Sequence, residues 1–240
     1  MNRAFILARR ELGAYFKSPL GASIITAVLL IDGILFYWQA LAEKLLSAEV
    51  LEQFFYNASG TTMIASIVLS MRLLAEERQL GTFTLLNTSP LSDADIVLGK
   101  YFSAVLMLGL MTLLTAYMPL LILVNGKVSV GHILVGYLGL MLLGSATLAI
   151  GVFASSLTNS TVIAGITGAA ITGAMILQWA LARAVDAPVS TFLAAMALHH
   201  QNFKPFMAGT LDLGCVAYYL MVALFFLVAA TKMVEARRWR

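Results

Sequence analysis

Residues able to do chemistry are few in this 240-residue chain, and they gather in three places. The first is the stretch Arg72-Leu-Leu-Ala-Glu-Glu-Arg-Gln-Leu-Gly-Thr-Phe-Thr-Leu-Leu-Asn-Thr-Ser-Pro90, which brings Arg72, Glu76, Glu77 and Arg78 close together. Charges of both signs at helical spacing suit ion pairing and the seating of a partner rather than the activation of a nucleophile. The second is Asp32, a carboxylate near the middle of an apolar run. A carboxylate at that depth in a membrane costs about 2.5–3.5 kcal/mol on insertion scales, so it should face a partner or water. Two readings stand: a polar lining of a pathway, or a structural hydrogen bond to Gln178 or a hydroxyl. The third place is His199-His200, with Met196 and Met207 nearby. Imidazoles and thioethers can hold copper or zinc, but adjacent helical residues diverge and such metals want three or four converging ligands, so no metal is expected. Nor is there a phosphate-cradling G-x-x-x-x-G-K-[ST], because Gly99-Lys100 is followed by Tyr101. The single cysteine, Cys215, lies within an apolar run, and no Ser–His or Cys–His pairing suggests a nucleophile. The chain is expected to be non-catalytic and to hold no cofactor of its own.

The elements that must position these residues follow from composition. Hydrophobic residues make up 60% of the chain and charged ones 11%, against about 45–50% and about 25% in soluble domains. Disorder needs low hydrophobicity and a disulfide scaffold needs more cysteines, so an integral membrane protein remains. Apolar runs of spanning length fall at 20–41, 54–74, 96–124, 133–154, 162–181 and 211–231. None alternates with period two, so the expected fold is all-α, with six transmembrane helices forming a single domain over 1–240. An even number of spans puts both termini on one side. If that side is the cytoplasm, it holds eleven of the fifteen Lys and Arg residues, with Lys44, Lys127, Arg183 and Lys204 opposite. This asymmetry favours cytoplasmic termini. No small-residue cleavage site follows the first apolar run, so no removed signal peptide is expected. The basic residues are dispersed despite a net charge of +3, and nucleic acid is not an expected partner.

Residues 1–18 read as an amphipathic helix lying in the interface. Phe5, Ala8, Leu12, Tyr15 and Phe16 share one face, with Arg3, Arg10 and Lys17 on the other. It serves either as an orientation signal or as an elbow that touches a cytoplasmic partner. Beyond the second span the helix is expected to continue and become charged at Glu76, Glu77 and Arg78, and Gly81 can stop it. Thr82–Thr88 is long enough for about two further turns before Ser89-Pro90. Ser92-Asp-Ala-Asp95 looks like a capping-box variant opening the third span. The cytoplasmic segment 76–92 therefore reads as a short rigid projection. On the far side, 184–210 is too interrupted by Pro188, His199, His200, Lys204 and Pro205 to span. Gly165, Ala169 and Gly173 form a small-residue ladder at spacing four, with Gly168 beside it; either intrachain packing or a seam between chains would use it. The face shared by Met107, Met111 and Met118 reads as packing, and Lys100 and Arg183 are expected to snorkel to the surface.

Three segments resemble a known family. EERQLGTFTLLNTSPLSDADIVLGKY is similar to the cytoplasmic signature of type 2 ABC-transporter permeases. RRELGAYFKSPLG resembles the branch that includes the gliding-motility permease GldF and its relative NosY, and HHQNFKPFMAGTLDLGCVAYYL resembles the stretch leading into that family's last helix. The resemblance implies a bacterial inner-membrane exporter in which two permease chains, identical or related, pair with two copies of a cytoplasmic ATPase that binds ATP and Mg. It implies that Glu76, Glu77, Arg78, Gly81, Thr82, Phe83, Leu85 and Leu86 form the coupling helix that seats in the ATPase. It also implies that 184–210 is a re-entrant extracytoplasmic hairpin, where an accessory protein could dock. Helices one, two and five would flank the pathway or dimer seam, placing Asp32, Gly165, Gly168, Ala169 and Gly173 there. Two other classes stay open. One is a membrane anchor of a gliding-motility or assembly machine that moves no solute. The other is an ATP-independent carrier, which should show inverted repeats, broken helices and several intramembrane charges.

Overall fold

In the fourth apolar run glycines recur at Gly136, Gly139, Gly144 and Gly151, and the structure uses them to bring neighbours against the backbone. In the computed structural model, which describes residues 3–17, 19–42, 46–82, 92–126 and 128–238, this run becomes a largely buried helix. A Cβ at Gly139 would lie 2.5 Å from the Cβ of Phe206, and one at Gly136 would overlap the Phe55 ring. Only glycine permits that approach.

The described residues form eleven helices and no strand. They are α1 (Arg3–Lys17), α2 (Pro19–Ala42), α3 (Ser47–Ser70), α4 (Ala75–Gln79), α5 (Asp93–Leu114) and α6 (Tyr117–Asn125), then α7 (Val130–Leu157), α8 (Thr161–Ala182), α9 (Val189–Met196), α10 (Lys204–Met207) and α11 (Leu213–Arg238). Six segments are long and apolar enough to cross a membrane: Gly21–Trp38, Ser47–Gln79, Asp93–Val124, Val130–Leu157, Thr161–Ala182 and Leu213–Arg237. Among the described residues the fold is thus all-helical, with six segments of spanning character.

α7 lies at the centre, packed against α3, α5, α8 and α11, while α2 leans on α3 and α1 lies along α5. The core has two parts. Toward one end, Leu69, Leu73, Ile96, Met107, Met111 and Leu148 are buried together; toward the other, Phe54, Phe55, Leu140, Leu198, Phe203, Phe206 and Tyr219 are. The methionine face expected to serve packing does lie inside, with Met107, Met111 and Met118 all buried. The outer helices leave large apolar side chains uncovered, among them Leu30, Ile34 and Trp38 on α2, Ile166 and Leu177 on α8, and Leu224 and Phe225 on α11. In water a surface of this kind drives aggregation; hydrocarbon matches it.

Two of the expected continuous spans are interrupted. The run read as one span over 96–124 divides at Thr115-Ala116 into α5 and α6. The cause is Pro119, whose ring nitrogen has no hydrogen for the carbonyl of Thr115. That carbonyl accepts from Met118 N at 3.1 Å instead, Ala116 N turns back to Leu113 O at 3.1 Å, and the Thr115 hydroxyl donates to Thr112 O at 2.8 Å. The helix expected to run from the second span straight into Glu76 stops at Ser70, turns through 71–74, and resumes as α4. Here a side chain from another helix enters the ladder. Ser155 of α7 accepts from Leu74 N at 3.1 Å and Ala75 N at 2.9 Å, and donates to Met71 O at 3.0 Å.

The α7 glycines and the α8 ladder should answer substitution differently. Gly136→Ala forces a methyl into the Phe55 ring and should destabilise by about 1–3 kcal/mol. At Gly173 nothing lies within 4 Å of a new Cβ, so Gly173→Ala should leave stability unchanged or raise it by up to about 1 kcal/mol through helix propensity. Thermal unfolding of the two variants in the same detergent checks the contrast; equal losses would contradict it.

Candidate functional site

The densest polar cluster lies where α1, α4 and α5 meet. Lys100 enters α5 two turns after its N-cap, too deep for its ammonium to reach the surface, and it is 1% exposed. A buried ammonium is tolerated only beside carboxylates. Two are supplied: Glu77 Oε1 of α4 at 2.6 Å and Glu11 Oε2 of α1 at 3.6 Å. Arg10 extends the network, 2.7 Å from Glu11 Oε1 and 3.9 Å from Glu77 Oε1. Arg72 grips the Glu76 carboxylate with two donors, Nε at 2.7 Å and Nη2. Glu11, Arg72, Glu76, Glu77 and Lys100, with Tyr15, Leu73 and Leu80, line a cleft of about 220 Å³. The Tyr15 hydroxyl donates to Leu69 O at 3.2 Å, and burial, reinforced by the charge of Glu11, pushes its phenol well above the ordinary range.

A second tie runs from α4 to the end of α7. Arg78 donates from Nη1 to Ser156 O at 2.5 Å. Arg237 of α11 donates to Leu157 O and, at 3.3 Å, to Asn159 Oδ1. Two guanidinium groups thus satisfy carbonyls at a helix C-terminus, where the helix dipole favours cations. With Ser155 holding the turn at 71–75, the segment that carries Glu76, Glu77 and Arg78 is fixed to α1, α5 and α7. Gly81, at φ +73°, ends it, and the Thr82 hydroxyl donates back to Glu77 O at 3.2 Å. Phe83, Leu85, Leu86 and the rest of 83–91 lie outside the described residues, so of the short helix expected over 82–88 only Thr82 is described. At the start of α5 Ser92 and Asp95 cap reciprocally, Asp95 N donating to Ser92 Oγ at 3.1 Å and Ser92 N to Asp95 Oδ2 at 3.2 Å.

The other sequence-derived residues are placed apart from this cluster. Asp32 is buried against α3, where the Thr61 hydroxyl, not Gln178, is its hydrogen-bond partner at 2.7 Å. The α8 ladder is split. Gly168 packs on Ala154 and Gly151 of α7, and Gly165 comes against Met71, while Ala169 is exposed and Gly173 has nothing near its Cα hydrogens. Arg183, expected to snorkel, is exposed and lies 3.7 Å above the Trp179 ring, which stacks in turn on His200. Lys100, expected to do the same, is buried. Its signal was available in the sequence, since a lysine within a spanning run carries the same cost as Asp32. Glu11, Ser155 and Arg237 were also missed, and their roles exist only through distant partners.

At the opposite end the turns between α9 and α10 are inserted into the bundle. Leu198, Phe203 and Phe206 are fully buried. The loop's backbone is answered by side chains: Tyr218 and Tyr219 donate to Met196 O and Leu198 O at 2.7 and 2.9 Å, and Asn202 Nδ2 to Ala197 O at 2.8 Å. His199 Nε2 lies 2.6 Å from Ser59 Oγ, which is also 2.6 Å from Tyr56 O. Ser59 has one hydrogen and a carbonyl can only accept, so Ser59 donates to Tyr56 and His199 donates from Nε2. Burial, with His200 adjacent, pushes the His199 imidazole down to about 4. His199 and His200 point to different partners, and among the described residues no three His, Cys, Asp or Glu side chains converge on a metal position. Neither a protein-family model nor a curated protein matches the chain.

Two measurements follow from these clusters. Lys100→Met leaves the Glu77 carboxylate without its buried cation. Breaking a fully buried pair costs about 3–5 kcal/mol; Glu77 keeps 17% of its side-chain exposure, so a loss on the order of 2 kcal/mol is expected. Adding Glu77→Gln should restore part of it, and additive losses in the double-mutant cycle would show that the pair is not coupled. For His199 the folded value of about 4 lies below the usual 6.5, so the unfolded state takes up the proton first. Its contribution should be complete above pH 6.5 and disappear as pH falls toward 4. His199→Gln keeps a donor but cannot titrate, and its unfolding temperature should fall less over that window than the wild type's.

Proposed function

We propose that this chain is the permease subunit of a type 2 ABC exporter, a multi-pass protein of the bacterial cytoplasmic membrane with both termini in the cytoplasm. It contributes no catalytic residue. A separate ATPase, present in two copies, binds ATP and Mg, and a second permease chain completes the pathway. The observation that carries the reading is the anchored segment 71–82. A projection that is to convey a push must not bend at its base, and this one is fixed by Ser155, by the Glu77–Lys100 pair and by Arg78 on Ser156. Movement of the segment would be passed to α1, α3, α5 and α7 as a body, the hinge-and-shear class of transition. The end of the bundle holding this segment also gathers Arg10, Arg72, Arg78, Lys100 and Arg237, in keeping with a cytoplasmic face. Opposite, the inserted turns between α9 and α10 fit an extracytoplasmic hairpin that closes the pathway and could receive an accessory protein.

One observation favours the carrier alternative. The break at Thr115-Ala116 interrupts a spanning helix at a level where the Thr115 hydroxyl meets Tyr137 at 3.1 Å, and Met118 beyond the break approaches Gly33, next to Asp32. Broken helices near intramembrane carboxylates occur in secondary transporters.

Purification of the tagged chain in mild detergent from its native host decides between them. An ATP-binding subunit in near-equal amount, with ATPase activity, is the expected result. Proline cannot adopt the positive φ of Gly81, so Gly81→Pro combined with Phe83→Asp should abolish the association while membrane insertion persists. A chain that emerges alone from several detergents would sink the exporter reading.

A further inference from the structure

Thr61 has one hydroxyl hydrogen and two neighbours at hydrogen-bonding distance. Its Oγ1 lies 3.0 Å from the carbonyl of Ala58, one turn back on α3, and 2.7 Å from Asp32 Oδ1 on α2. A carbonyl only accepts, so the Ala58 contact uses the Thr61 hydrogen. The shorter contact then either draws on that same hydrogen or has one of its own, which an ionised carboxylate cannot supply. A carboxylic acid can. With Asp32 protonated, its O–H donates to Thr61 Oγ1, the Thr61 O–H donates to Ala58 O, and two hydrogens serve two contacts.

The surroundings agree with this count. Asp32 stands midway along α2 and is 4% exposed. Burying an ionised carboxylate without a cation is costly, whereas a hydrogen-bonded neutral acid is not. Among the described residues no Lys, Arg or His forms an ion pair with it. The groups around it are hydroxyls: Thr61 from α3, the Tyr137 phenol of α7 within electrostatic range, and from α6 the Tyr117 phenol, which would lie 3.7 Å from a Cβ on the adjacent Gly33. The backbone of α1 at Tyr15 and Met107 of α5 meet α2 at Gly21, about three turns away.

We propose that Asp32 and Thr61 form a proton-binding site at mid-depth in the bundle, where the carboxyl group holds one proton at neutral pH. The site ties protonation to the orientation of the Thr61 hydroxyl, because the ionised form has one hydrogen for two contacts. Loss of the proton moves the Thr61 hydrogen from Ala58 O to Asp32 and leaves an ionised carboxylate buried without a cation, a cost that water entering between α2 and α3 would relieve. This holds whether the chain works with an ATPase or alone.

Infrared spectroscopy of the full chain in lipid nanodiscs tests it, since the carbonyl stretch of a carboxylic acid is resolved from that of carboxylates. An acid band is expected at neutral pH, shifted when aspartate is labelled with carboxyl-¹³C and unmoved when glutamate is. Asp93, Asp95, Asp186 and Asp212 stand at or beyond the ends of the spanning segments and are partly or fully exposed, so Asp32→Asn should remove the band and Thr61→Val should shift it. If Asp32→Asn does not assemble, the labelling of the wild type and Asp32→Glu, which should transfer the band to the glutamate label, still decide. Absence of an acid band, a band that follows the glutamate label, or one that survives Asp32→Asn overturns the proposal. None of these outcomes bears on whether an ATPase co-purifies.

Discussion

Hydrocarbon offers no hydrogen bonds, so every carbonyl, amide and charge that leaves the regular helical ladder in this bundle must be answered by the chain itself. That constraint explains where the polar side chains are. The turn at 71–75 exposes two amides and a carbonyl, and one hydroxyl, Ser155, serves all three. The end of α7 exposes carbonyls, and Arg78 and Arg237 take them. The loop after α9 exposes carbonyls at Met196, Ala197 and Leu198, and two tyrosines and Asn202 are aimed at them. At these three places side chains from other helices, Ser155, Arg78 with Arg237, and Tyr218 with Tyr219, answer the irregular backbone, which makes them joints between helices rather than weak points.

This pattern also separates what could be read from the sequence from what could not. Six spans were legible because each is an apolar run of bilayer length, a property carried wholly by local composition. The cap at Ser92-Asp95 was legible because both partners lie within one turn. The joint at 71–75 was not, since the group responsible for it is Ser155, more than eighty positions away and without any local signature. The break at 115–116 is an intermediate case. Pro119 announced it, but the unbroken hydrophobicity of the run outweighed a single residue. The α8 ladder shows the limit of pattern from the other side. Spacing put Gly165, Ala169 and Gly173 on one stripe, yet the close contact with α7 is made by Gly168, beside the stripe, and Gly173 meets nothing.

The two ends of the bundle are held by different physics. At the end with α1 and α4 the contacts are between full charges, Lys100 with two carboxylates and arginines on helix carbonyls, and these weaken as salt or water gains access. At the end with α9 and α10 they are neutral hydrogen bonds and stacked rings: His199 on Ser59, His200 on Trp179, Phe203 and Phe206 in the core. On the exporter reading proposed above, the first arrangement would meet the ATPase, and the second would close the far side through shape and a neutral His199.

α3 is the element common to both. Reading along it, Tyr56 and Ser59 hold His199, Thr61 holds Asp32, and Ser70 ends the helix one turn before Ser155 takes over the backbone. Half of its residues are buried, and it packs against α2, α5, α7 and α8, so it cannot shift without moving its partners. A displacement imposed at 71–82 would therefore meet the proton site at mid-depth before it reaches the turns at the far end. Since an ionised carboxylate without a cation is costly at this depth, an exporter built on this chain would admit water between α2 and α3 most readily when Asp32 is ionised, and a chain that works alone could use the same carboxylate to couple proton uptake to helix closure. The hydrogen count at Thr61 is thus the step at which the mechanical and the chemical readings of this protein meet.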